Sequence, residues 1–172
     1  MWASGSGRYN EAMTAPKWSH FDDQGRARMV DVGEKPQTRR WAVAKGMVLV
    51  SAPTLAEIRA GALKKGDLRA AAELAGVMAA KKTSELIPLC HPLPLDHIEV
   101  DVALCEDPPA VAITAKAEAT GRTGVEMEAL TAVAVAALTV YDMVKAVERT
   151  ARITDIRLVE KHGGRSGDVT LE

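Results

Sequence analysis

A long, almost uncharged segment in the last third of the chain constrains the fold most. It runs from Gly121 to Thr150, and its centre consists of Ala, Val, Leu and Thr. This pattern predicts a long helix that is apolar on nearly every side. A charged group in such a helix is costly unless it is paired, capped or functional. Glu126 and Glu128 near its start, and Asp142 and Lys145 near its end, are therefore candidate site residues.

The size and charge of the chain limit the class of protein. Its 172 residues fit one domain that is large enough to bury a core. Twenty-two Lys and Arg against 23 Asp and Glu give a formal charge of −1. A general positive field of the kind that drives nonspecific nucleic-acid binding is therefore missing, and only a local anion site remains open. We expect no nucleic-acid partner.

Cysteine use and hydropathy indicate the compartment. Cys90 and Cys105 are the only cysteines, and no secretory signal is recognisable. The sequence also shows no apolar run that is long and uncharged enough for a membrane span. We therefore expect reduced thiols, a cytoplasmic location and no membrane partner.

Most of the chain is expected to form one domain. Residues 1–18 are rich in Gly, Ser and Ala without a sustained period, and they predict a flexible N-terminal tail. Residues 19–172 then form the single domain. The predicted elements are an extended piece at Arg26–Val32, a strand at Thr38–Ser51, a helix from Thr54 to about Leu63, a helix at Leu68–Leu86, strands at His97–Val102 and Val111–Glu118, and a strand at Arg152–Val159.

Local signals set the boundaries of these elements. Pro53 ends the first strand, and Thr54 with Glu57 forms a capping box for the helix that follows. Asp67 is the expected N-cap of the next helix. That helix carries an apolar stripe, and Pro88 ends it. The stripe consists of Leu74, Val77 and Met78.

The order of these elements predicts the fold class. The two alternating strands at residues 97–102 and 111–118 are joined by the Asp107–Pro109 turn, with their charged residues facing water. Strands and helices do not alternate strictly, which favours an α+β fold with a largely antiparallel sheet and helices on one face. The many small apolar residues suit close helix packing and favour an oligomer.

His91 is a candidate acid-base or anion-binding group. It lies in a stiff loop between Pro88 and Pro92, just after a helix. A histidine that is hydrogen-bonded only for structure is the alternative. A zinc site built from Cys90, His91, His97 and Cys105 is disfavoured because paired Cys spacing is missing. We expect no metal site.

The glycine-rich loop at residues 162–168 is a second candidate. Its glycines let backbone amides converge on an anion, and Lys161 and Arg165 supply positive charge. The spacing differs from a Walker loop, and a plain turn is the alternative. Lys64 and Lys65 form another basic turn, which alone is most simply a solvated pair.

The charges of the long helix also have structural alternatives. Glu126 and Glu128 complement the positive end of the helix dipole, and Asp142 and Lys145 are spaced for an i,i+3 ion pair. The apolar flanks of Asp142 and Lys145 raise the odds of a functional pair. A lysine beside a buried carboxylate can keep a proton poised for transfer.

Spacing favours a site that two subunits share. Glu128 and Asp142 on one straight helix lie roughly 20 Å apart, and Lys65 and His91 flank a helix of about 27 Å. One small ligand cannot easily touch all four groups within one chain. We therefore expect mixed His91→Ala and Glu128→Ala chains to restore activity if the two residues belong to one interface site.

Six short motifs together resemble a known family. The chain resembles the molybdenum cofactor biosynthesis protein C family, the cyclic pyranopterin monophosphate synthases, from about Arg26 to its C-terminus. The motifs are Met29–Val32, Lys65–Asp67, Leu86–Leu93, Thr123–Thr131, Tyr141–Met143 with Lys145, and Gly163–Asp168.

The resemblance implies an activity. Members convert 3′,8-cyclo-7,8-dihydro-GTP into cyclic pyranopterin monophosphate and release pyrophosphate. The family fold is ferredoxin-like, and the assembly is a homohexamer built from dimers with the active site at a subunit interface. No cofactor is required, although Mg²⁺ can accompany the triphosphate.

The resemblance also assigns roles by position. Asp142 and Lys145 form the central acid-base pair, and Lys65, His91 and Lys161 stabilise triphosphate charge or donate protons. At the remaining positions the carboxylates of Glu126 and Glu128 and the backbone of Met127 hold the guanine-like edge of the substrate.

The chain departs from the family pattern at a few positions. Arg28 stands where many members have His, and an arginine cannot shuttle a proton near neutral pH. His162 and Arg165 stand where Ser and Lys are common, which keeps the loop suited to an anion. A noncatalytic nucleotide- or pterin-binding subunit, and a purely structural oligomer, are the competing interpretations.

Overall fold

A computed structural model describes residues 24–63, 65–164 and 167–172. The predicted tail at residues 1–18 lies outside these ranges, as do Lys64 and Arg165. The elements are β1 (Thr38–Leu49), α1 (Ala52–Arg59), α2 (Leu68–Ala80), α3 (Thr83–Leu86), β2 (His97–Glu106), β3 (Pro109–Gly121), α4 (Glu126–Val144), β4 (Arg152–His162) and β5 (Val169–Thr170).

The strands form one antiparallel sheet in the order β2-β3-β1-β4-β5. The α+β class and the antiparallel sheet predicted from the sequence are confirmed. β2 and β3 meet through the predicted turn, whose Asp107–Pro108 peptide bond is cis. The two-residue β5 was not predicted, and Arg26–Val32 does not form a strand of the sheet.

The sheet has one face toward the helices and one open face. In β1 the residues Ala42, Ala44 and Val48 have no exposed surface, since they point into the core beneath the helices. Trp41 and Lys45 alternate with them on the open face. α2 and α4 pack against each other on the helix-covered side, as the sequence predicts.

One charged residue of the open face is not solvated as expected. Glu118 of β3 is buried, and its carboxylate pairs with Lys116 at 2.6 Å and with Arg39 at 2.7 Å. The hydrogen bond from Lys116, followed by that from Arg39, lowers the pKa of Glu118 to about 2. The alternation of β3 therefore predicted the face of Glu118 correctly but not its burial.

α4 lies across the sheet and forms the centre of the core. Its fully buried residues are mostly small, so that the helix backbone can lie close to the strands. Its length and composition would suffice to cross a membrane, which corrects the expectation from the sequence. Yet 56% of that stretch is buried inside the domain, as in the core helix of a globular protein.

Gly46 of β1 lies where α4 comes closest to the sheet. A Cβ atom on Gly46 would lie 2.7 Å from Val133 Cγ1 and 3.1 Å from Ile156 Cγ1. We expect Gly46→Ala to lower the free energy of unfolding by about 1–3 kcal/mol through overpacking, which thermal unfolding measures. The loss should shrink in a Val133→Ala background, and strictly additive losses would contradict the proposed clash.

The start of α1 differs from the predicted capping box. Ser51 is the N-cap, and its Oγ accepts a 3.4 Å hydrogen bond from the Thr54 amide, while Pro53 lies in the first turn. Thr54 instead lies buried inside the helix. Ser51 and Thr54 both carry a hydroxyl group that can cap a helix, so the sequence allows either start. The fixed φ of Pro53 suits the first turn of a helix and therefore favours the start after Ser51. The helix ends at Arg59 rather than near Leu63.

The second predicted helix is divided into two. Asp67 caps α2 as predicted, with its carboxylate accepting hydrogen bonds from the Arg69 and Ala70 amides. α2 ends at Ala80, and α3 is a separate short turn. Pro88 follows α3, so the predicted end at Leu86 is confirmed although the continuous helix is not.

The buried face of α2 is also different from the predicted apolar stripe. The helix buries small residues such as Ala72 and Gly76, because they allow close approach to α4 and β2. Leu74 and Met78 of the predicted stripe are 61% and 54% exposed. Size complementarity, rather than hydrophobicity, selects the buried face here.

The larger apolar residues line a groove on the surface. A cavity of about 330 Å³ is bordered by Met78 and Leu86 of the α2–α3 region and by Val135 of α4. Leu138 lies three residues beyond Val135 and is also exposed. We refer to the surface formed by Leu74, Met78, Leu86, Val135 and Leu138 as the apolar groove.

Candidate active site

The residues predicted for the site form two groups at opposite ends of α4. The group at the N-terminal end contains His91, Glu126, Met127, Glu128 and Lys161, and the group at the C-terminal end contains Lys65, Asp142 and Lys145.

A cavity of about 310 Å³ lies at the N-terminal end of α4. We call it the carboxylate pocket because Glu126 and Glu128 line it together with His91 and Met127. Its other wall is the segment that contains Val30 and precedes β1. The sequence therefore predicted His91, Glu126 and Glu128 as site residues, and the fold brings them from two separate parts of the chain to one cavity.

His91 is held by the segment before β1. Its Nε2 lies 2.9 Å from the carbonyl oxygen of Val30. Since a carbonyl only accepts, Nε2 carries the proton, and in the neutral ring Nδ1 is left as an acceptor. The ring is thus fixed in one orientation at the wall of the pocket, which suits either binding or proton transfer.

Glu128 is the most deeply buried acidic group of the pocket, with 4% of its surface exposed. Burial raises the pKa of Glu128 to about 7, and the charge of Glu126 adds to this effect. Burial, together with the Glu128 charge, also raises the pKa of the neighbouring Cys90 thiol. Glu128 can therefore hold or release a proton near neutral pH.

The raised pKa of Glu128 makes folding stability depend on pH. Between about pH 4.3, where an unfolded Glu loses its proton, and the folded value of about 7, only the folded state keeps this proton. Stability therefore falls as pH rises through this interval and changes no further above it. Glu128→Gln should remove this contribution, which is on the order of 4 kcal/mol for about 2.7 pKa units at about 1.4 kcal/mol per unit.

Urea unfolding at fixed protein concentration from pH 4 to pH 8 measures this contribution. The exposed Glu57→Gln on α1 is the matched control. Parallel stability profiles of the wild type and Glu128→Gln would contradict burial of an ionisable group at this position.

A second cavity of about 450 Å³ adjoins the first and is rich in positive charge. It shares Lys35, Thr123, Gly124 and Glu126 with the carboxylate pocket. We call it the basic pocket because four cations line it, namely Lys35, Arg40, Arg122 and Lys161. Such a convergence of cations suits a phosphate or polyphosphate group.

Sequence reasoning predicted only one of the four cations of the basic pocket. Lys161 was predicted, and its Nζ lies 3.7 Å from Glu126 Oε1. Arg40 reaches the pocket because its Nε donates to the carbonyl oxygen of Gly121 at 3.1 Å, 81 residues away. Lys35 and Arg122 stand singly in the sequence, and no local motif marks them as neighbours.

The glycine loop supports the basic pocket differently from the prediction. Gly163 and Gly164 have φ values of +87° and +76°, a backbone conformation that favours glycine. The amide of Gly163 does not face a ligand, because it donates to the Asp168 carboxylate at 3.0 Å. The anion that this amide contacts is therefore a carboxylate of the loop itself, and Lys161 supplies positive charge from β4.

The other end of α4 carries what we call the lysine cluster, formed by Lys65, Asp142 and Lys145. The Asp142 carboxylate pairs with Lys145 Nζ and with Lys65 Nζ, each at 2.6 Å. Lys65 Nζ also donates to the backbone carbonyl of Asp142 at 2.7 Å. The predicted i,i+3 pair is confirmed, and Lys65 joins it from the turn before α2.

The lysine cluster is more exposed than the sequence suggested. About half of each of the three side chains is exposed, since α4 ends here at the edge of the domain. The expected buried carboxylate is therefore wrong for the single chain. Hydrogen bonds from Lys145 and then Lys65 lower the pKa of Asp142 to about 2, so Asp142 stays ionised and orients two ammonium groups.

The two groups are too far apart for one small ligand. α4 contains 19 residues, which correspond to roughly 28 Å along its axis at about 1.5 Å per residue. His91 and Glu128, predicted to lie apart, line the same pocket instead. Lys65 likewise lies beside Asp142, 77 residues along the chain. The prediction that one chain does not bring all these groups together is confirmed, but the residues are divided between the two ends of α4 differently from the prediction.

Metal ligands do not cluster in the part of the chain that the structure describes. No three His, Cys, Asp or Glu residues within it lie close enough to hold a metal ion. Cys90, His91, His97 and Cys105, all of which the structure describes, form no such group. A further cavity of about 700 Å³ beside the α1–α2 turn is lined by Arg59 and Arg69 and contains neither group of predicted site residues.

Comparisons with known proteins identify the family of the chain. The sequence model described as the MoaC family matches residues 29–164. A protein of Thermomicrobium roseum is 60% identical over 149 residues, covering 87% of this chain and 90% of that protein. A protein of Dinoroseobacter shibae is 56% identical over 154 residues, covering 90% of this chain and 98% of that protein. Both are named cyclic pyranopterin monophosphate synthase.

Proposed function

The chain belongs to the MoaC family, and from this premise we propose that it is an enzyme of molybdenum cofactor biosynthesis that forms cyclic pyranopterin monophosphate. Its substrate is the cyclised GTP intermediate 3′,8-cyclo-7,8-dihydro-GTP, and its second product is pyrophosphate. One observation carries the proposal: a pocket lined by two carboxylates and a histidine opens directly into a pocket lined by four cations.

The two adjoining pockets fit the two halves of such a substrate. The guanine-like ring presents several N–H donors, and Glu126 and Glu128 supply acceptors at the wall of the carboxylate pocket. The Met127 side chain offers an apolar contact at the same wall. The triphosphate occupies the basic pocket, where Arg40 and Lys161 offset its charge.

The chemistry needs proton transfers at both ends of the substrate. Water opens the guanine-derived ring by breaking a carbon–nitrogen bond, and closure of the new ring as a pterin forms a carbon–nitrogen bond and releases a water. A sugar hydroxyl oxygen then bonds to the α-phosphorus, and the bond from the α-phosphorus to the bridging oxygen breaks, so that pyrophosphate leaves. The hydroxyl proton passes to a base, and the leaving oxygen is stabilised by cations.

The lysine cluster supplies groups for these transfers. Asp142 remains ionised and fixes both ammonium groups. Lys145 is then the central proton-transfer group, and Lys65 stabilises developing negative charge. His91 and Glu128 carry protons within the carboxylate pocket. No cofactor takes part, and Mg²⁺ can enter as a companion of the triphosphate.

Each active site combines the carboxylate and basic pockets of one chain with the lysine cluster of a neighbouring chain. The distance along α4 supports this arrangement, because the lysine cluster of one chain cannot reach its own carboxylate pocket. The apolar groove supplies surface for association. The β-α-β-β-α-β order of β1 to β4 supports a ferredoxin-like fold. We propose a cytoplasmic homohexamer, a trimer of dimers.

Incubation with the cyclised GTP intermediate tests the activity. Pyrophosphate release and pterin fluorescence after oxidation should rise together with the same time course. Tight binding without either signal would favour a noncatalytic pterin- or nucleotide-binding subunit. A folded oligomer that neither binds nor converts the intermediate would favour a structural role.

A further inference from the structure

His162, the last residue of β4, has contacts that the proposed reaction does not use. Its ring stacks on Trp41 of β1 with centroids 3.6 Å apart and planes 12° from parallel. The two residues are cross-strand partners. Lys116 Nζ lies 4.9 Å from the centre of the Trp41 ring. The stack therefore fixes the plane of the imidazole on the open face of the sheet.

The two nitrogens of His162 face two carboxylates. Nδ1 lies 3.2 Å from Asp168 Oδ2, and Nε2 lies 3.5 Å from Glu160 Oε2. Among the described residues Nε2 is buried without a hydrogen bond, whereas Nδ1 makes the shorter contact, with Asp168. The hydrogen bond from the Gly163 amide, followed by that from His162, lowers the pKa of Asp168. Asp168 is thus an ionised acceptor between the histidine and the glycine loop.

The loop held by Asp168 packs on an arginine of the basic pocket. Asp168 Oδ1 accepts the Gly163 amide at 3.0 Å, while Oδ2 faces His162. A Cβ atom on Gly163 would lie 2.5 Å from the Arg39 carbonyl oxygen, and one on Gly164 would overlap the Arg40 guanidinium. The loop backbone therefore lies directly against Arg40.

Arg40 is confined from two sides. Its Nε donates to the Gly121 carbonyl oxygen at 3.1 Å, and the Gly164 backbone lies against its terminal nitrogens. Both restraints orient the guanidinium at the wall of the basic pocket. Without the loop, Arg40 would keep one hydrogen bond and regain side-chain rotation, which weakens a preorganised anion contact.

We propose that His162 is a positioning residue for the phosphate chain: its Nδ1–H donates to Asp168, which holds the Gly163–Gly164 turn against Arg40. Trp41 fixes the ring so that Nδ1 points at Asp168. The inference rests on the proposed function in one respect, namely that the basic pocket receives the phosphates. Loss of the His162–Asp168 contact therefore lowers the affinity for phosphate groups and leaves proton transfer unchanged.

Two substitutions at His162 separate the hydrogen bond from the ring stack. In His162→Asn the amide can replace Nδ1–H as a donor, while the stack is lost. In His162→Phe the stack remains, while the donor is lost. The control is Thr154→Ala, on β4 near its opposite end. Calorimetric titration with inorganic pyrophosphate measures affinity, and steady-state kinetics with the cyclised GTP intermediate separates KM from kcat.

We expect His162→Phe to raise the pyrophosphate Kd and the KM about fivefold to tenfold, with kcat changed less than about twofold. His162→Asn and Thr154→Ala should stay near the wild-type values. In an Arg40→Ala background His162→Phe should have no further effect, because the histidine acts through Arg40. Asp168→Ala breaks the same contact from its other side and also removes the acceptor of the Gly163 amide. It should therefore weaken pyrophosphate binding at least as much as His162→Phe, which keeps the test valid if one variant is less stable.

Several results would overturn the inference. They are an unchanged pyrophosphate Kd in both His162→Phe and Asp168→Ala, weaker binding by His162→Asn than by His162→Phe, or no pyrophosphate binding by the wild type. Failure of the proposed function gives a different result. The wild type would then bind pyrophosphate but not convert the intermediate, and the titration would still measure the effect of His162 on pyrophosphate binding.

Discussion

Replacing Lys145 by arginine is expected to lower kcat by roughly 10²- to 10⁴-fold, the usual contribution of a positioned proton-transfer group. Arginine keeps the positive charge and can still pair with Asp142, but it does not release a proton near neutral pH. KM should change little, because the charge next to the substrate is preserved. Pyrophosphate release and the fluorescence of the oxidised pterin measure the rate.

Two further variants make the Lys145→Arg result specific. Lys81→Arg makes the same substitution at the exposed C-cap of α2 and should have no effect. Lys145→Ala removes both charge and proton and should be at least as slow as Lys145→Arg. If Lys145→Arg turned over at the wild-type rate while Lys145→Ala did not, Lys145 would act through its charge and not through its proton.

An equimolar mixture of His91→Ala and Lys145→Ala chains is expected to recover about a quarter of the wild-type activity, although each variant alone is inactive. In a symmetric dimer with shared sites, random pairing makes about half of the dimers mixed. A mixed dimer has one site with both substitutions and one site with neither. Co-refolding of the two variants, followed by the pyrophosphate assay, measures the recovery.

The arrangement of the pocket supplies a sharp control for this mixture. His91 and Glu128 line the same cavity, so each mixed site would lack one of them. A His91→Ala and Glu128→Ala mixture should therefore stay inactive, in contrast to the expectation from the sequence. Recovery of activity by this pair would contradict the proposed shared site. So would a lack of recovery by His91→Ala with Lys145→Ala in verified mixed oligomers.

Local signals in the sequence predicted most of the secondary structure. The Asp107–Pro109 turn and the Asp67 cap act over a few residues, and both were predicted correctly. Errors arose where neighbouring residues offered equivalent choices, as with the two hydroxyls of Ser51 and Thr54. The buried face of α2 was mispredicted because tight packing on α4 favours Ala and Gly over Leu74.

The site was less predictable because its contacts join distant parts of the chain. The pairing of Lys65 with Asp142 spans 77 residues, and that of Arg40 with Gly121 spans 81. Spacing along α4 indicated that the groups lie apart, but it could not show which groups lie together. The charge pattern and the resemblance together supplied the predicted residues, whereas Lys35 and Arg122 in the basic pocket required the tertiary structure.

The length of α4 has a consequence for how this protein can evolve. In the proposed assembly the two ends of the helix belong to different active sites, so the number of residues between Glu128 and Asp142 sets the spacing and the relative orientation of neighbouring sites. Inserting or deleting one residue would turn one end by about 100° relative to the other. Substitutions at exposed positions of α4 outside the apolar groove remain open to drift, whereas insertions and deletions within α4 should be eliminated by selection.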